Sequence, residues 1–388
     1  MEVASWVQVI LPHRLTATLP RWLARGEVLT SMLPAIPLSL ALLVVFALGG
    51  VVVLVLLSLL TQRAIVSLIT NRAQRRQTAL APRVYQVLSP GASRAPVDDL
   101  LALGRFDRAV LRRLLLGLAL DLRGEAAATL CGLYRDIGLL RGDIARLRSW
   151  RAADRAAAAA DLGVIRDPAA LPALLEGLRD RDSLVRQTAV WAVGEVGDRA
   201  SLRKLVPLLG DSGARVARCA EEVLAFRGRE VEETVLAYAR DTTSQGGRRA
   251  AIDLLGWLRV SAAADFLLSS FEDPDAEIRV KSVKAAAAIG DPRFLEPFHD
   301  RLADDRWEVR CQAAKGLSVL GSPASVPWLE TALRDSQWWV RFYAAAALAE
   351  IGERGEAALA AALEDPEPRV SGMARYLLER GAAVPALP

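Results

Sequence analysis

Two histidines, His13 and His299, and three cysteines, Cys131, Cys219 and Cys311, are the side chains of this 388-residue sequence best suited to metal or nucleophilic chemistry. A site needing several imidazoles is excluded by that count, and no CxxC pair brings thiolates to ligand spacing. A Ser-His-Asp or Cys-His relay would have to use His299, in the stretch EPFHDRL, and the position 31 residues on is Glu330, a surface-type residue. Carboxylate pairs such as Asp304–Asp305 and Glu221–Glu222 are ordinary on solvated helices and turns, and no Gly-rich phosphate loop is present. The expectation is a chain with no catalytic, metal or cofactor-binding residues.

What would position such residues is helical. Apolar residues make up 52% of the chain and aromatics 6%, with Ala and Leu dominant, a mixture that favours helices because both lose little on entering one. Residues 38–60 read LSLALLVVFALGGVVVLVLLSLL without a charge. As a helix this run measures about 34 Å, enough to cross a hydrocarbon core of about 30 Å. Some 37 residues precede it, which disfavours a cleaved signal peptide. Three arginines lie before the span (Arg14, Arg21, Arg25) and five close behind it, which places the C-terminal side in the cytoplasm and the protein in the inner membrane. Unpaired cysteines agree with a reducing compartment.

The charge is unevenly placed. Residues 62–95 carry six arginines and no acid, so the net +4 leaves residues 96–388 slightly acidic. Headgroup contact is the expectation for Arg63, Arg72, Arg75, Arg76 and Arg83, and a nucleic-acid partner is disfavoured because the basic excess is not on the folded domain.

Residues 150–370 repeat with a period of 31. An arginine recurs at Arg155, Arg186, Arg248, Arg279, Arg310 and Arg341, with Ala217 as the gap. A glycine recurs at Gly197, Gly228, Gly290, Gly321 and Gly352, with Arg166 and Arg259 as exceptions; it reads as a left-handed helix cap. Small residues (Ala189, Ala220, Ala251, Ser282, Ala313, Ala344) alternate with large ones at helical spacing, so each unit is a pair of short antiparallel helices that must stack to bury its stripe.

Segments such as SLVRQTAVWAVGEVGD, AEIRVKSVKAAAAIGD and WEVRCQAAKGLSVLG resemble the short bacterial HEAT-like repeats of the phycobilisome-lyase type, over about seven units. The resemblance implies an all-α solenoid and a ladder of charge pairs between units; the pairs expected, six residues apart, are Asp180 with Arg186, Asp273 with Arg279, Asp304 with Arg310 and Asp335 with Arg341. It also raises, as the alternative function, a lyase-type enzyme or enzyme subunit. The stretch at 122–151 resembles segments preceding the repeats in membrane-anchored bacterial HEAT proteins associated with glycosyltransferases and envelope polysaccharide loci.

The expected organisation is a non-cytoplasmic segment 1–37, a transmembrane helix 38–60, a basic segment 61–97, a helical cap 98–148 punctuated by Gly124, Gly138 and Gly142, and a solenoid 149–388. The expected function is a membrane-anchored scaffold. Its protein partner, a membrane glycosyltransferase or polysaccharide assembly component, would dock on Trp307, Trp328, Trp338, Trp339 and Phe342, with Arg301, Arg306 or Arg334 at the rim. The unit 214–244 lacks both the arginine and the aspartate (Ala217, Thr242) and reads as a candidate hinge.

Overall fold

The computed structural model describes residues 38–89 and 95–380; the N-terminal segment with His13, Arg14, Arg21 and Arg25, and also Arg94, lies outside them. All regular structure among the described residues is helical. The chain divides into two compact units, one ending at Leu80 and one beginning at Ala81.

Helix α1, Leu38–Leu88, is long and apolar enough to cross a membrane, and none of its most apolar stretch is buried. It is one continuous helix well beyond Leu60, and its exposed apolar surface runs on through Ile65, Val66, Leu68 and Ile69.

The second unit begins with a cap of helices α2 (Ala95–Leu101), α3 (Arg105–Asp121), α4 (Gly124–Asp136) and α5 (Leu139–Arg146). Gly124 and Gly138 take left-handed backbone at φ 64° and 82°, where a side chain would be strained, whereas Gly142 sits inside α5. Leu111, Leu115, Leu130, Leu133 and Tyr134 form the cap core. Asp143 is buried among them and accepts from Arg112 (2.8 and 3.2 Å), Arg146 (3.1 Å) and the Tyr134 hydroxyl. Arg112 also binds Asp161, on the first helix of the repeats, so a charged cluster ties the cap to the stack. A buried carboxylate is tolerable here because charged donors surround it.

The repeats follow as helix pairs. First helices are α6 (Ala152–Ile165), α8 (Ser183–Val196), α10 (Ala214–Arg227), α12 (Gln245–Trp257), α14 (Ala276–Ile289), α16 (Trp307–Leu320), α18 (Trp338–Glu350) and α20 (Pro368–Arg380). Between them lie the shorter α7 (Leu171–Gly177), α9 (Arg199–Arg203), α11 (Glu232–Asp241), α13 (Ala264–Ser270), α15 (Leu295–Arg301), α17 (Val326–Ala332) and α19 (Glu353–Ala362), most of them led in or followed by a single 3₁₀ turn. Successive first helices pack closely along the small-residue column, in which Ala189, Ala220, Ala251, Ser282, Ala313 and Ala344 are all fully buried. Packing is least extensive between α10 and α12, at the unit without the charge pair.

The glycine column divides. Gly290 and Gly321 take the left-handed cap as expected and Gly352 has positive φ with a different ψ (87°, −154°), but Gly197 (φ −71°) and Gly228 (φ −49°) do not have positive φ. At Gly197 close approach excludes a side chain instead, since a Cβ would stand 2.5 Å from the Val193 carbonyl oxygen; a Cβ on Gly228 would stand 2.0 Å from the end of the Leu258 side chain, which would have to turn away. The two non-glycine exceptions, Arg166 (φ 58°) and Arg259 (φ 54°), adopt the left-handed cap without a glycine.

Candidate functional site

The arginine ladder has a different partner from the one six residues away. Arg186 binds the Asp211 carboxylate through Nε (2.8 Å) and Nη2 (2.7 Å), and its Nη1 donates to the Asp180 carbonyl oxygen at 2.9 Å. Arg155 repeats this with Asp180, Arg279 with Asp304 and Arg310 with Asp335. The residue six before each arginine therefore supplies a backbone carbonyl, and the carboxylate comes 25 residues later, from the loop of the next unit. One guanidinium fork thus clamps two consecutive loops, a geometry that uses its planar set of donors and that lysine could not reproduce. The Arg155 fork holds the Asp180 carboxyl below the ordinary range. At Asp211, Asp304 and Asp335 burial pushes upward, and the arginine and loop-amide bonds outweigh it, so these carboxyls too are depressed.

Two rungs are defective. Arg248 reaches Asp273 through Nη1 alone (3.2 Å), leaving Nε buried without a partner. Arg341 keeps its bonds to the Asp335 and Ser336 carbonyls (2.8 and 3.0 Å) but meets no carboxylate among the described residues, because the last loop is one residue shorter and Asp365 pairs with Arg334. The unit with Ala217 has no rung, yet Thr242 Oγ1 still accepts the Ser244 amide at 3.2 Å, as the loop aspartates accept theirs.

The aromatic residues separate into groups. Trp338, 39% exposed, stacks on Phe342 at 5.1 Å and meets Trp339 edge-on at 4.8 Å; Tyr343 and Tyr376 complete the cluster. Phe342 is 1% exposed, so it supports the cluster from below and presents no contact surface. Trp307, one unit earlier, is half-buried and apart from these ring contacts. Trp328, 48% exposed, lies against His299 at 5.2 Å. The rim arginines are already engaged: Arg301 with Glu272, Arg306 with Glu308 and Arg334 with Asp365. Sequence reasoning missed Trp257 and Phe226, which are more exposed than any of these tryptophans.

Along α1, the basic residues form a stripe. At 100° per residue Arg72, Arg75, Arg76 and Arg83 share one side, and Arg63 faces the other. At 1.5 Å per residue Arg72 lies about 14 Å along the helix from Arg63.

His299 is buried, with Nε2 2.9 Å from Ser325 Oγ and Nδ1 3.5 Å from Glu296 Oε2. The outline is that of a Ser-His-Glu relay, but Ser325 is fully buried, so its hydroxyl is closed to solvent. Burial raises the Cys131 and Cys311 thiols to about 11, which keeps them protonated and unreactive at neutral pH. Among the described residues no group of three metal-ligating side chains converges.

A profile of HEAT repeats matches residues 143–225, 232–307 and 295–379. No curated protein matches the sequence. Solved structures with similar helical stacking include an engineered protein (18% identity, TM-score 0.39, covering 79% of this chain and 95% of that one). Kap95p with RanGDP is similar at 11% identity and TM-score 0.47, over 78% of this chain and 52% of that one. The CpcE–CpcF complex of phycocyanin lyase from Nostoc sp. PCC7120 is similar at 20% identity and TM-score 0.30, over 61% and 94%. With its ladder, its paired helices and a profile match over more than half its length, the chain belongs to the HEAT-repeat family.

Proposed function

We propose that this protein is a single-pass scaffold of the inner membrane whose cytoplasmic solenoid docks a protein partner, without catalysis of its own. The observation that carries the reading is the exposure of the Trp338 and Trp328 rings on a stack whose His299 and Cys311 are buried: large rings half in water favour an interface. The unburied apolar face of α1 supports the anchor, since so much apolar surface is stable only in lipid. Confinement to two dimensions then raises the effective concentration of solenoid and partner. The resemblance of residues 122–151 favours a membrane glycosyltransferase or polysaccharide assembly component as that partner. Arg63 is the arginine nearest the headgroups in this arrangement.

Crosslinking and pull-down from membranes, wild type against Trp328→Ala plus Trp338→Ala, tests it. Loss of one defined partner from the variant is the expected result, and equal retention would sink the aromatic surface. A C-terminal reporter active only in the cytoplasm checks the topology.

A further inference from the structure

A cleft of about 400 Å³ lies between α10, α12 and α14, beside the unit without a rung. Its floor is built of small residues, Ala225, Gly256, Ala285 and Ala288. Gly256 is required there, because a Cβ would stand 2.6 Å from the Ala285 Cα, so α12 and α14 touch backbone to backbone. Trp257 lines the cleft, with its ring 67% exposed.

The charges around it are unequal in their commitments. Asp253 is held by Lys281 and faces Lys284 at 3.8 Å. Glu221 and Glu222, on α10, have no ion-pair partner among the described residues, although Arg218 and Lys281 are near enough to act on Glu221 through space. Burial and the neighbouring Asp253 charge raise the Glu221 carboxyl above its ordinary range, outweighing the pull of Arg218 and Lys281. One unit earlier a carboxylate is paired, Glu195 with Arg166 at 2.8 Å.

We propose that this cleft binds a cationic side chain, arginine or lysine, carried by a protein partner, with the charge on Glu221 and Glu222 and the stem across the Trp257 ring. A cation is the occupant that compensates both carboxylates and uses the indole face; guanidinium suits both contacts best. An apolar occupant would cover the floor but further desolvate Glu221, and an acidic one would face two carboxylates. The proposal rests on the reading of the solenoid as a protein-binding surface, but it uses a site separate from Trp328 and Trp338.

The test is fluorescence anisotropy with the full chain in a non-ionic detergent. The probes are a labelled ten-residue Ala/Leu peptide with two central arginines, its citrulline twin and its glutamate twin. The arginine peptide is expected to bind at least about tenfold more tightly than the citrulline form, a difference of about 1.4 kcal/mol. Glu221→Gln plus Glu222→Gln should erase that preference, and Trp257→Ala should weaken arginine binding about fivefold, by loss of a cation–π contact. Trp150→Ala, an exposed tryptophan elsewhere, should change nothing. Equal binding of arginine and citrulline peptides, a preference surviving the glutamine variants, or no arginine binding below about 1 mM overturns the proposal. Because Trp328→Ala plus Trp338→Ala leaves this cleft intact, failure here and failure of the partner pull-down are separate results.

Discussion

The regular units and the unit 214–244 share a helix-pair plan and differ in one device. In the regular units a buried guanidinium clamps two loops; in the exception Ala217 and Thr242 keep the turn and lose the clamp. The small-residue column continues through both, with Ala220 fully buried like Ala189 and Ala251. Apolar stacking is therefore enough to continue the solenoid, and where the charge clamp is missing the first helices pack least.

The largest expected effect acts on every clamp at once. Asp180, Asp211, Asp304 and Asp335 have folded values depressed below their unfolded ones, so their contribution is fully present above the ordinary aspartate value of about 3.9 and is lost as pH falls through the folded values. Thermal stability of the full chain should drop steeply below about pH 4. A flat profile from pH 5 to about pH 3 would mean that the clamps contribute little.

One clamp at a time comes next. Arg310→Ala leaves Asp335 buried without its cation and should cost about 3 kcal/mol in denaturant unfolding. Building the missing clamp, Ala217→Arg with Thr242→Asp, should gain less, about 1 kcal/mol, because it adds a pair to a site that is already satisfied. In a double-mutant cycle the two substitutions should be worth more together than apart, and simple additivity would show that no clamp formed. Slower hydrogen exchange at the α10–α12 junction would follow if the gap is also the weak point of the stack.

Much of this was legible in sequence because repetition displays itself. The period, the helix pairs and the small column needed only spacing. The clamp's partner did not follow from spacing, for a physical reason: an arginine six residues after one aspartate lies 25 before the next, and a 31-residue period makes the two choices indistinguishable. Only the direction of the side chain decides, and it points toward the following unit. Asp143 left no signal, since its cluster with Arg112 and Tyr134 is built once, from three helices, and nothing repeats. The cleft hid for the opposite reason: Gly256 and Ala285 look like ordinary members of helical columns, and its floor depends on how closely two backbones approach.

The glycine column gives the smallest effect, at Arg259, and the sharpest contrast, because one sequence position answers two demands. Gly197 has ordinary φ and no room: alanine would bring its Cβ to 2.5 Å from the Val193 oxygen, a backbone atom that moves only with the helix. Gly197→Ala should therefore cost about 1–3 kcal/mol, as overpacking does. Arg259 has room and the wrong residue: it is exposed and holds φ at 54°, where a Cβ costs about 1 kcal/mol. Arg259→Gly should stabilise the fold by about 0.5 kcal/mol, the relief of that strain less the extra freedom of an unfolded glycine. Opposite signs at two positions of one column would separate conformation from packing; a loss at both would mean that Arg259 holds a contact worth more than its strain.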